Sequence, residues 1–314
     1  MNATPSQTMI KHRAVFVGTA RNCGVHLPNV LRNLETLGAL YGQSSFVFVV
    51  NDCVDDTQSL LEAWLSQGRQ GTVIDLGMLL KTIPQRTARI AAARNAGMGR
   101  VRSGYDSFDH LVVVDLDDVL SSPIAADRFV EAAQWLEEEP SRGGVLANSA
   151  PRYYDIWALR HDTWCPHDCW HAIWGRQKSE TFEVAKMREV YARQIVLPET
   201  LPPLPVRSAF GGLGIYKMKY AIGAFYNGFD DAGRERAEHV AFNEEIRKKG
   251  GELFIFPALI VRAPSQHLFG DGDVGPLSML RLLCHRLREW WHPPWQRLFA
   301  PPSGMAATRE STHY

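Results

Sequence analysis

His110-Leu-Val-Val-Val-Asp115-Leu-Asp117-Asp118 is the stretch on which the reading turns. An uninterrupted apolar run, rather than an alternation, belongs to a strand covered on both faces, as in a parallel sheet flanked by helices. This run ends in carboxylates. Ligands of open α/β sheets bind at the carboxyl ends of the strands, and in extended chain Asp115 and Asp117 face the same side. A hard divalent cation takes oxygen ligands and bridges them to a diphosphate, cancelling its charge. Asp115, Asp117 and Asp118 are therefore the expected metal site; the competing reading is an acidic turn.

Working outward, strand-like and helix-like segments alternate. Residues 14–18, 45–50 and 71–76 are expected as strands, and 26–41 and 56–66 as helices. A third helix is expected over 84–98, with Pro84 in its first turn. Downstream, a helix is expected over 125–139, a strand over 144–148, and a strand with close backbone approaches over 210–216. A helix over 238–249 is stopped by Gly250-Gly251, and a late strand covers 253–257. The alternation predicts an α/β fold with a central, mostly parallel sheet flanked by helices. The domain is expected over residues 14–269, after a tail of 1–13. From 270 to 314 a Gly/Asp/Pro linker leads into an aromatic, basic segment.

The 314 residues are 45% hydrophobic, enough for one large core, and 34 basic residues balance 34 acidic ones. A zero net charge argues against a general nucleic-acid binder. Five cysteines make no disulfide framework in a chain of this length, and a reducing compartment is the simpler reading. The first residues are polar, and no segment approaches the ~20 apolar residues of a membrane span. The expected location is cytoplasmic, with peripheral attachment at the inner face of a membrane left open.

Other strand ends supply further candidates. Thr19 and Arg21 follow the first strand, and Asn51 and Asp52 follow the second; such groups accept or donate hydrogen bonds to a base or ribose. Asp55 and Asp56 read either as part of this set or as a cap on the next helix. Arg94, near the end of the third helix, is placed to grip a phosphate bidentately; Arg86 and Arg89, about one turn apart on that helix, read either as further candidates or as solvated surface.

Ala91-Ala-Ala-Arg94-Asn95-Ala-Gly97, followed by a strand and Asp115-Leu-Asp117-Asp118, resembles the donor half of GT-A glycosyltransferases. Tyr153-Tyr-Asp155-Ile-Trp157-Ala-Leu-Arg160, Val206-Arg-Ser-Ala-Phe210-Gly-Gly212-Leu-Gly-Ile-Tyr216 and Glu238-His239-Val-Ala-Phe242-Asn243 resemble the fungal capsule-associated α-1,3-mannosyltransferase group and its bacterial relatives. The likeness spans about residues 14–268. It implies a GT-A type nucleotide-sugar-binding fold, with Mn2+ or Mg2+ on the acidic motif and His267 as an added ligand. It implies a nucleotide-sugar donor, GDP-mannose being favoured, and a glycan or lipid-linked saccharide acceptor. By the same analogy Asp155 and Arg160 hold sugar hydroxyls, and Gly211 and Gly212 admit substrate against the backbone. Asp155, Glu238 and His239 are expected at the reacting centre. Glu238 or His239 is the base if configuration inverts; if it is retained, Glu238 positions substrate or faces the charge on the sugar.

Two features stand apart. His161, Cys165, His167, Cys169 and His171 form a cluster whose spacing is not that of a structural zinc site; a local disulfide and a packed loop are the other readings. Trp157, Trp164, Trp170 and Trp174 lie around it, either stacking on an acceptor or filling core. Residues 276–300 space Leu277, Leu280, Cys284, Leu287 and Trp291 helically among arginines. That pattern suits an anionic membrane surface, or a helix docked on its own domain or on a second copy. Nucleotidyl transfer on sugar phosphates is the rival chemistry, and a non-catalytic glycan-binding module the rival without chemistry. A dinucleotide oxidoreductase is disfavoured, because no G-x-G-x-x-G follows Val17.

Overall fold

In the computed structural model, which describes residues 10–268, 280, 283–284 and 294–299, the first half of the chain alternates strand and helix. It runs β1 (Ile10–Ala20), α1 (Leu27–Ala39), β2 (Tyr41–Val50), α2 (Thr57–Leu65), β3 (Gly71–Asp75), α3 (Arg86–Gly104), β4 (His110–Asp115), α4 (Ala126–Glu138) and β5 (Arg142–Ala150). Two short helices follow, α5 (Cys169–Trp174) and α6 (Phe182–Glu189), then β6 (Leu204–Val206) and β7 (Leu213–Lys217). The domain closes with α7 (Met218–Ala221), α8 (Glu238–Lys248) and β8 (Glu252–Arg262).

The eight strands form one sheet in the order β3-β2-β1-β4-β7-β5-β8-β6. Pairs β1–β2, β2–β3, β1–β4 and β5–β8 are parallel, while β7 is antiparallel to β4 and β5, and β6 is antiparallel to β8. All strands but β6 and β7 thus run one way, as the expected mostly parallel sheet requires. The chain winds outward from β1 through β2 to β3, then returns to place β4 on the other side of β1. That reversal opens a crevice beyond the strand ends. Register sets Thr19 opposite Asp115 at this point.

Both faces are buried, which explains the unbroken apolar runs. Phe16, Val112 and Val114 face one core beside Leu34 and Phe129; Val15, Leu111 and Val113 face the other beside Met98 and Phe242. Successive residues alternate between the two cores, as a pleated strand dictates.

Three boundaries differ instructively from expectation. β1 starts at Ile10, inside the expected tail, because Ile10 N–H bonds to Leu40 O and Ile10 is buried. β8 runs on to Arg262 across a bulge at Pro257, where Phe256 pairs with Ala147 but Ile260 with Asn148. Proline offers no ladder donor, and Asn148 Nδ2 donates to Pro257 O and Leu197 O across the gap. The strand expected from 210 begins only at Leu213, since Gly211 and Gly212 have φ of 72° and 94°.

Among the described residues no helix is long and apolar enough to cross a membrane. Most of segment 276–300 lies outside the described residues. Its short helical turn Pro294–Phe299 lays Trp295 and Leu298 against the domain's own core.

Candidate active site

The crevice between β1 and β4 holds a cleft of about 560 Å³. Thr19 and Arg21 reach it from β1, Asn51 from β2, and Asp115 and Asp117 from β4. Arg94 enters from α3, Asp155 from the segment after β5, Glu238 and His239 from α8, and His267 from beyond β8. The loops are clamped to one another. Cys23 N–H bonds to Thr57 Oγ1, Gly24 N–H to Asp55 Oδ2, and Val54 N–H to Asn22 Oδ1. Asp55 also accepts from Thr57 N–H, so it, rather than Asp56, serves the start of α2.

Arg94 is the centre of the arrangement. Its side chain is 5% exposed; Nη2 donates to Asp115 Oδ1 at 2.8 Å and Nε to Glu238 Oε1 at 3.0 Å. Phe210 and Tyr226 present ring faces to it, their centroids 5.0 and 5.7 Å from Cζ. Burial opposes the charge on Arg94, but Asp115 and Glu238 outweigh it and keep the guanidinium protonated beyond its ordinary range. The third nitrogen, Nη1, is buried with no partner. A buried charged donor left unmet is costly, and Arg94 lines the cleft.

The acidic groups carry the opposite strain. Burial pushes Asp115 up to about 7, with Arg94 opposing and Asp117 adding to the rise. Burial likewise raises Asp117, against a hydrogen bond from Val119 N–H and with Asp118 adding to it. Burial lowers His267, so its imidazole favours the neutral form that ligates metal. Oxygen donors and an imidazole along one cleft wall suit a hard divalent cation. They are not drawn to bonding distance of one another. Among the described residues, the group with ligating atoms within 4.8 Å of one another is His12, His110 and Glu137, at the far end of β1 and β4. There His110 is already satisfied, Nδ1 by Tyr41 OH and Nε2 by Glu137.

No protein-family model and no curated protein sequence matches the chain. Solved structures are similar to it at low identity. A mannosyltransferase, PcManGT, from Pyrobaculum calidifontis in complex with GDP-Man and Mn2+ is 15% identical, with 93% of this chain and 74% of that one covered, at a TM-score of 0.48. S. aureus TarS 1-349 is 12% identical over 90% and 72%, at 0.45. M. tuberculosis glucosyl-3-phosphoglycerate synthase is 13% identical over 93% and 83%, at 0.42.

Of the residues singled out from sequence, Thr19, Arg21, Asn51, Arg94, Asp115, Asp117, Asp155, Glu238, His239 and His267 share the cleft wall. Others do not reach it. Asp52 holds the loop after β3, accepting from Leu80 N–H with both oxygens. Arg160 lies behind the wall, bonded to Trp157 O, Leu159 O and the carboxylate of Asp168, so it braces a loop instead of meeting a sugar. Gly211 and Gly212 are small for packing rather than for substrate. A Cβ on Gly211 would stand 2.6 Å from Ala147 O, and one on Gly212 would stand 2.3 Å from Val119 Cγ1. Gly212 O accepts Asp115 N–H, and Gly211 N–H bonds to Asp155 Oδ2. Asp118 sits in the turn Asp118–Leu120 behind Asp117.

His239 is 3% exposed, lies 3.7 Å centroid to centroid on Phe210, and has no hydrogen bond to either nitrogen. Burial and Arg94 hold it well below the usual histidine range. It is a neutral wall, ill suited to keep a proton. The 161–171 cluster serves its loop. His161 accepts from Trp164 N–H and His171 meets Glu235 O. Cys165 and Cys169 are free, with burial pushing Cys165 up to about 12 and Cys169 higher still. Thiols held protonated are poor zinc ligands.

Sequence reasoning missed Tyr226, Tyr154 and Cys23, and the surface reading of Arg86 and Arg89 fails, since both line the cleft and Arg89 is buried. Tyr226 comes from the irregular stretch before α8, whose backbone is tied to Asn95 of α3 by paired hydrogen bonds; no periodicity marks it. Tyr154 stacks on His267 at 5.7 Å, and its place beside Asp155 in a quoted motif was the available signal.

Proposed function

We propose that the chain is a metal-dependent glycosyltransferase of GT-A type that moves a hexose from a nucleotide-sugar to a glycan or lipid-linked acceptor. The observation that carries this reading is Arg94. A buried guanidinium joins Asp115 to Glu238 and leaves Nη1 unmet, and Arg94 lines the cleft at the sheet's switch point. An anion in the cleft would satisfy it, and a diphosphate needs such a cation as the sugar departs. Thr19, Arg21 and Asn51 sit where base and ribose contacts belong.

Asp115, Asp117 and His267 would hold Mn2+ or Mg2+, which when bound neutralises the diphosphate and stabilises charge on the leaving nucleotide. Arg94 Nε holds the Glu238 side chain in place inside the cleft, 3.0 Å from Oε1. Where configuration inverts, Glu238 takes the acceptor hydroxyl proton; where it is retained, the same carboxylate faces positive charge on the sugar ring. The neutral His239–Phe210 stack excludes water from this side. The motif resemblance supports mannose, from GDP-mannose, as the sugar.

The test is release of nucleoside diphosphate from a panel of nucleotide-sugars, with Mn2+ and with chelator, beside Asp117→Ala. Turnover of one donor, abolished by chelator and by the substitution, is the expected result. Neither metal-dependent donor binding nor turnover would leave the glycan-binding module standing. Consumption of a nucleoside triphosphate with release of pyrophosphate would mark nucleotidyl transfer.

A further inference from the structure

One wall of the cleft continues outward as a line of aromatic rings. Trp157 and Trp170 line the cleft, their centroids 6.1 Å apart. Trp170 stacks with Phe182 at 6.3 Å and an interplanar angle of 29°, and Phe182 meets Trp174 at 5.3 Å. The inner pair pack against the core. The outer pair join no buried cluster among the described residues, and Trp174 is 67% exposed. Core filling therefore explains the inner end of the line and not the outer.

We propose that Trp157, Trp170, Phe182 and Trp174 form a track that leads a neutral oligosaccharide acceptor from the surface into the cleft. The proposal rests on the transferase reading and names the acceptor class for that same site. Sugar rings present C–H faces that carry partial positive charge, and these settle on the electron-rich faces of indole and phenyl rings. Ring spacings of 5.3 to 6.3 Å are comparable to the advance of one hexose along a chain. Trp157 Nε1 is buried without a partner, so the inner end carries a hydrogen-bond donor that a sugar hydroxyl oxygen would satisfy.

The platform is rigid. Asp168 caps α5 by accepting from Trp170 and His171 N–H, and Thr181 caps α6 by accepting from Val184 N–H. Arg176 ties the joining loop through Ile173 O and Glu180 O. Beside the outer rings lies an open depression of about 640 Å³, with Gln177, Ser179, Thr181 and Glu180 on its rim. That polar rim suits hydroxyl groups and not an acyl chain. Arg188 is paired with Glu180 and Glu189, and Arg176, on the same rim, is held by two backbone carbonyls and lies over the Phe182 ring.

The experiment uses the full chain and its Trp174→Ala variant. Binding of α-linked mannopentaose, maltopentaose and cellopentaose, and of their monosaccharides, is read by saturation-transfer NMR and tryptophan fluorescence. GDP with Mn2+ is titrated separately. The expected result is a pentasaccharide that binds more tightly than its monosaccharide and loses roughly threefold to tenfold in affinity in Trp174→Ala, with GDP binding unmoved. Failure of all three pentasaccharides while GDP and Mn2+ bind overturns the track and spares the transferase reading. A pentasaccharide affinity unchanged by Trp174→Ala also overturns it. So does binding to phosphatidylglycerol vesicles, lost in the variant, in place of sugar binding. Loss of GDP and Mn2+ binding alone counts against the transferase reading, and a pentasaccharide effect at Trp174 would survive it.

Discussion

Arg94 bonds to both Asp115 and Glu238, and both side chains remain in place if it goes. Removing one partner of a buried ionic group strands the rest, at a cost of about 3–5 kcal/mol. Arg94→Met is expected to lower stability by that amount in urea unfolding, and to cut turnover by about 100-fold or more. Loss of turnover at unchanged stability would show that the guanidinium serves the substrate alone. His239 gives a pH signature. Its folded pKa is held well below 6.5, so below that value the unfolded chain binds a proton that the folded one refuses. The contribution is full above 6.5 and is lost as pH falls beneath it. Compared with the non-titrating His239→Asn, the wild type's stability margin is expected to be widest near pH 7.5 and to shrink toward about pH 5. A margin flat with pH would mean the imidazole is not buried neutral.

At the scale of elements, the turn into β7 decides where the acidic residues stand. Gly212 combines a φ of 94° with a backbone bond to Asp115 and contact with Val119. Gly212→Ala brings a left-handed strain of about 1–2 kcal/mol and an overpacking cost of about 1–3 kcal/mol. The double variant Gly212→Ala/Val119→Ala should recover only the second part relative to Val119→Ala, since shortening Val119 leaves φ unchanged. A double-mutant cycle of urea midpoints separates the two; full recovery would show that φ relaxes at no cost.

For the whole molecule, the cleft joins residues from both sides of the switch point, so ligand binding should stabilise the fold as a unit. GDP with Mn2+ at 100 times its Kd should add about 2.7 kcal/mol, read as a rise in Tm. Chelator or Asp117→Ala should remove the rise, and a rise that persists with chelator would mean nucleotide binds without metal.

The α/β alternation, the sheet's dominant direction and the position of the acidic strand end were legible from sequence, because they follow from local periodicity and from apolar runs buried on two faces. Asp115 and Arg94 could be picked out as candidates for the same reason, since they sit at the ends of readable elements; Glu238 and His267 were candidates through the motif resemblance. Their partnership could not be picked out. Arg94 meets Asp115 across 21 positions and Glu238 across 144, and only packing brings such groups together. Arg160 and Asp52 look like ligands in a string of letters, yet the fold assigns them to Asp168 and to Leu80 N–H. Gly211 and Gly212 were read as room for a substrate; tertiary contact gives that room to Ala147 O and Val119. Local chain chemistry determined which elements form and which strand ends are polar. Which polar groups are left unmet, and so free to bind something, depends on neighbours that only the folded chain supplies.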